Sequence, residues 1–80
     1  MTQLLHLGLG KVYTTKNEVI VEYAGNMGAS VERNIAPRFE EKFGLGTWDQ
    51  VEVAATKIIG HPDYRYELHI SKEKFFAIVN

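Results

Sequence analysis

Three histidines, His6, His61 and His69, are the side chains best suited to ligate a metal or to move a proton near neutral pH. Two of them lie in short polar runs. His61-Pro62-Asp63 and Glu67-Leu68-His69 each space two ligand-type residues two apart, which puts both on one face of an extended backbone. Asp63, Arg65, Glu67 and His69 then form one polar row, and a small enzyme or metal protein would use His61, Asp63, Glu67 and His69. Arg65 suits salt bridging better than cation binding, and the row lacks the ligand density and supporting partners of a built metal site. It is read first as a solvated strand face.

Ser30 and Ser71 are the only serines; a cap or a turn explains each, and neither lies in a nucleophile elbow. Gly25-Asn26-Met27-Gly28-Ala29-Ser30 stands between an expected strand and an expected helix, where backbone amides can cradle a phosphate. It matches neither the dinucleotide fingerprint nor the P-loop, so a turn with Ser30 as helix cap is the simpler reading. No catalytic, metal or cofactor set emerges. The chain is expected not to be an enzyme and to need no cofactor.

Gly44-Leu45-Gly46-Thr47 joins two expected helices, as in a helix-turn-helix. The outward residues of the second helix would be Asp49, Glu52, Val53, Thr56 and Lys57. Two acids and one base face a phosphate-lined groove poorly, and no arginine is there to read guanine. Nucleic-acid binding would instead need Lys11, Lys16, Arg33, Arg38 and Arg65 to gather in three dimensions. Tyr13, Tyr64 and Tyr66 with Arg65, Lys11 and Lys16 could make an aromatic and basic sheet face, but Tyr64 and Tyr66 point opposite to Arg65 on one strand. Tyrosine beside arginine also suits protein interfaces.

Charge is spread evenly. The 80 residues carry 9 Lys and Arg against 10 Asp and Glu, a formal net charge of −1, and no segment is basic. That weighs against non-specific nucleic-acid binding and against anionic membranes. With no cysteine, disulfides, zinc ribbons and thiol chemistry are excluded. At 45% hydrophobic residues and 24% charged, the composition is globular, and residues 1–80 are read as one domain. A domain this small is marginal without a partner subunit or a well-filled core. No leader or membrane span is evident, and a cytosolic location is expected.

The elements follow from periodicity. Leu5, Leu7 and Leu9 alternate until the parity switches at Val12, which suggests one strand with a bulge near Gly8 or Gly10. Thr14 to Asn17 make a turn into a strand over Glu18–Tyr23, so the two strands form a hairpin. Val31, Ile35, Phe39 and Phe43 mark a helix, best started with Asn34 as N-cap and Pro37 in its first turn, or else begun at Val31 and kinked at Pro37. Thr47 and Gln50 look like a capping box for a second helix running to Ile59, ended by Gly60 and Pro62. Val53 alone breaks its polar side. Tyr64–Ile70 alternates cleanly as a strand, and Phe75–Val79 is expected as a last strand covered on both faces.

The expected fold is therefore α+β: a four-stranded, mainly antiparallel sheet in the order β-β-α-α-β-β, with two short helices on one face and the strand order open. The function expected first is a small protein-binding module, a regulator or inhibitor of a partner protein, with self-association as a homodimer included. Val53, Tyr64, Arg65, Tyr66, Phe75, Phe76 and Ile78 are its candidate partner-binding residues.

Overall fold

The computed structural model describes residues 2–6, 10–24, 28–60 and 65–80. Strands β1 (Thr2–His6), β2 (Gly10–Thr14) and β3 (Glu18–Ala24) come first, then helices α1 (Gly28–Phe43) and α2 (Thr47–Ala54). Strands β4 (Lys57–Gly60) and β5 (Arg65–Ser71) follow, and helix α3 (Lys72–Val79) closes the described chain. The fold is α+β with an antiparallel sheet, as expected. The sheet has five strands rather than four, in the order β1-β2-β3-β5-β4, and three helices rather than two.

Cross-strand register sorts the sheet residues by face. Val12 stands opposite Val21 and Val21 opposite Leu68, while Val19 faces Ile70. These five join Ile35 and Phe39 of α1, Trp48 and Val51 of α2, and Phe75 of α3 in one buried core. All three helices thus cover the same face. Lys11, Tyr13, Glu18, Ile20, Glu22, Glu67 and His69 occupy the alternate register positions, on the helix-free face.

The hairpin of β2 and β3 forms where expected. Its turn is closed by the Thr15 amide donating to the Glu18 carbonyl at 2.8 Å and the Glu18 amide donating to Thr15 Oγ1 at 3.2 Å. The Lys72 amide also donates to the Asn17 carbonyl at 3.2 Å, tying this turn to the start of α3. Gly10 is required because the backbone of Glu22 and Tyr23 crosses so closely that a Cβ would lie 2.8 Å from the Tyr23 Cα.

Several expectations are corrected. The single strand over residues 5–12 is two strands, β1 and β2, paired with each other; a reversal changes the apolar parity just as a bulge does. The irregularity lies between Gln3 and Leu5, whereas Gly8 falls outside the described residues. Inserting a residue there lets the consecutive Leu4 and Leu5 both pack against the core. Helix α1 starts at Gly28, not after Asn34, and runs through Pro37, whose exposed ring costs one amide donor while Ile35 and Phe39 anchor the helix on the core. Ser30 lies inside its first turn rather than capping it.

The second helix ends at Ala54 instead of Ile59. Thr56 leaves it onto the sheet, its amide and hydroxyl both donating to the His69 carbonyl at 2.8 and 3.2 Å. Lys57–Gly60 then pairs with β5, a use that suits β-branched Ile58 and Ile59 and makes Gly60 a strand end rather than a helix stop. Phe75–Val79 is helix, not strand. Ser71 caps it by accepting from the Lys74 amide at 3.2 Å. Phe75, Ile78 and Val79 share one helical face toward the core, so the doubly apolar run needs no second cover.

The glycine hinge is confirmed with different chemistry. Gly44 (φ 116°) and Gly46 (φ 82°) hold left-handed conformations that favour glycine. The Gly44 amide donates to the Glu40 carbonyl at 2.7 Å, ending α1. No capping box forms: Thr47 Oγ1 donates to the Gly44 carbonyl at 2.6 Å, and Gln50 Nε2 to the Gly46 carbonyl at 3.3 Å. Both side chains serve carbonyls, because Gly46 rather than Thr47 is the N-cap.

Candidate partner-binding surface

The outer side of the helical layer carries the exposed large apolar residues among those described. Leu45 is 92% exposed, Val53 87% and Phe76 37%. Each follows from local geometry. Leu45 sits between two left-handed glycines in a turn too tight to direct it inward. Val53 follows buried Val51 by two residues, about 200° around α2, and so faces away from the core. Phe76 follows buried Phe75 by one, and α2 and α3 pack on each other, so Val53 and Phe76 belong to one helical layer.

The other expected partner-binding residues are divided. Phe75 is wholly buried, its ring edge-on to Phe39, Phe43 and Phe76, so it is a core residue and not a contact. Ile78 is half-buried against the core. Tyr66 stacks on Tyr23 with centroids 5.8 Å apart, and Tyr23 meets Trp48 edge-on at 5.9 Å, so Tyr66 lies on the helix-covered side. Tyr64 and the side chain of Arg65 lie outside the described residues.

The polar row is half placed. His61 and Asp63 lie outside the described residues, while Glu67 and His69 are on β5. His69 is buried, with Nδ1 3.1 Å from Glu18 Oε1 and Nε2 2.9 Å from Glu67 Oε1. The carboxylates address opposite edges of the ring and so do not converge on one point. Among the described residues no three His, Asp or Glu side chains could hold a metal ion. This clamp joins β3 to β5. Of the residues considered for nucleic acid, Lys11 lies on the helix-free face with Nζ 5.1 Å from the Tyr13 ring centre, Lys16 in the hairpin turn and Arg38 on α1; the side chains of Arg33 and Arg65 lie outside the description.

Among the described residues, clefts border the helices. One, of about 400 Å³, is lined by Leu5, His6, Arg38, Glu41 and Lys42, a mixture of signs. Another, of about 310 Å³, runs between α1 and α2 and is lined by Ala36, Pro37, Glu40, Trp48 and Asp49. Trp48 is 3% exposed, and its Nε1 is the one buried side-chain nitrogen or oxygen among the described residues without a hydrogen-bond partner. A buried donor left unpaired costs about 1–3 kcal/mol.

Sequence reasoning missed Leu45, although an apolar residue between two glycines in a turn is itself a signal. It also missed Glu18 as the partner of His69, which only strand register reveals. Among the described residues no helix is long and apolar enough to cross a membrane. No family model matches the chain, and no curated protein or solved structure matches it significantly.

Proposed function

We propose that this chain is a protein-binding module that docks a partner protein through the outer surface of its helical layer and regulates or inhibits that partner by occupying it. One observation carries the reading: Leu45, Val53 and Phe76 are exposed on the helical side, while the helix-free sheet face keeps its apolar Ile20 buried among polar neighbours. Burying an exposed side chain of the size of Leu45 or Val53 at an interface gains about 1.5–3 kcal/mol. Self-association is one form of the same docking.

The test compares wild type with a Val53→Asp, Phe76→Asp double variant. Val53 is exposed and Phe76 partly so, and a circular dichroism spectrum matching wild type is required of the variant before its binding is compared. Light scattering and capture on the immobilised protein should show partners, or a second copy, held by the wild type and released by the variant. Identical masses and identical captured proteins for the two would sink the proposal.

A further inference from the structure

The buried histidine of the helix-free face has surroundings that ask for a particular number of protons. His69 of β5 is 8% exposed, and each ring nitrogen stands against a carboxylate oxygen: Nδ1 3.1 Å from Glu18 Oε1 on β3, and Nε2 2.9 Å from Glu67 Oε1 on its own strand. An ionised carboxylate only accepts hydrogen bonds, whereas a neutral imidazole carries one N–H and one bare nitrogen. A neutral ring here sets one lone pair against another. Two N–H groups satisfy both contacts. The second proton belongs on the ring rather than on a carboxyl, since imidazole is ordinarily the stronger base by about two pH units. By register, the other charged positions around the ring are Lys57 of β4 opposite His69, Glu22 of β3 opposite Glu67, Lys11 of β2 opposite Glu22, and Arg65 two residues before Glu67.

We propose that His69 is the imidazolium of a proton-operated clamp between β3 and β5. The charged ring donates to Glu18 and to Glu67 and ties the two strands together beside the hairpin turn. Loss of one proton to solvent leaves a bare nitrogen facing an ionised carboxylate, so one of the two contacts has to open. Glu18 is the one that gives way. Its side chain is 38% exposed against 20% for Glu67, and its contact is the longer of the two. The neutral ring keeps its Nε2 proton on Glu67, within one strand, and the tie across strands is lost. Glu18 pairs in register with Ser71, the cap of α3, so the released end of β3 is the end that meets this helix. A native chain that holds a proton the unfolded chain lets go is stabilised at low pH and loses that stability as pH rises. The clamp lies on the sheet and is independent of the docking surface on the helical side.

Nitrogen NMR of the histidine-labelled wild-type protein reads the ring directly, with His69 assigned through bonds from its own backbone. At about pH 7, where an ordinary histidine is mostly neutral, both His69 nitrogens should show the protonated signature. As pH is raised further, Nδ1 should change to a bare nitrogen while Nε2 keeps its proton. A bare nitrogen already present at about pH 7, or Nε2 as the site that loses its proton, overturns the clamp. Urea unfolding is the second measurement. Between about pH 6 and about pH 9, the span over which histidine charge is lost, the wild-type midpoint should fall relative to that of Glu18→Gln. The introduced amide can accept from the charged ring and donate to the neutral one, so the variant has less need of the extra proton. His6 and His61 are common to both proteins and leave the comparison unaffected. Identical pH courses for the two proteins overturn the proposal; if the variant fails to fold, the wild-type ring spectrum decides alone.

Discussion

The two outer surfaces of this molecule handle their side chains in opposite ways. On the helix-free sheet face, neighbours across strands satisfy one another: His69 bridges Glu18 and Glu67, Lys11 lies over Tyr13, and Ile20 is buried opposite His69. On the helical side, Leu45 and Val53 face solvent and Phe76 is partly exposed, while the indole N–H of Trp48 is buried without a hydrogen-bond partner. A sheet surface can become self-sufficient because register places partners about 5 Å apart on adjacent strands. Helical residues aimed outward from the layer have no such neighbour strand.

Substitutions can break this contrast in order of expected size. Phe75→Ala should destabilise by about 3–5 kcal/mol in urea unfolding, whereas Phe76→Ala next to it should cost about 1 kcal/mol. Equal effects would mean that α3 has no distinct inner and outer faces. His69→Ala removes the buried ring that bridges Glu18 and Glu67 and is expected to cost about 1–3 kcal/mol while leaving partner capture unchanged. Loss of capture in a variant that still folds would move the functional surface to the sheet. Gly46→Ala, at a left-handed φ, should lower stability by about 1 kcal/mol in a thermal melt. Val53→Asp should change stability by no more than about 0.5 kcal/mol, the smallest shift of the set, yet it should abolish docking.

Legibility in the sequence followed how local each signal was. The β2–β3 hairpin and the α1–α2 hinge were readable because turn residues and glycines act within a few positions. The exposure of Val53 was readable as the one apolar residue on the polar side of its helix. Lys57–Gly60 and Phe75–Val79 were misread, since short apolar runs satisfy helical and strand periods alike and tertiary pairing decides between them. Strand β4 exists because β5 offers it an edge, and α3 because Ser71 caps it and the core takes Phe75. The His69 clamp could not be read at all. Its partners Glu18 and His69 are 51 positions apart, and only the pairing of β3 with β5 brings them together.

That pairing also sets an order of events for the growing chain. Strands β1 to β3 can zip up locally, but the second edge of β3 has its mate in β5, behind two helices and β4. Until that late segment emerges from the ribosome, β3 presents an open row of amides and carbonyls beside Val19 and Val21, the kind of edge that recruits other chains. Completion of the sheet is thus timed by its latest strand, and the hydrogen bond from Lys72 to the hairpin turn at Asn17 fastens that closure as α3 forms.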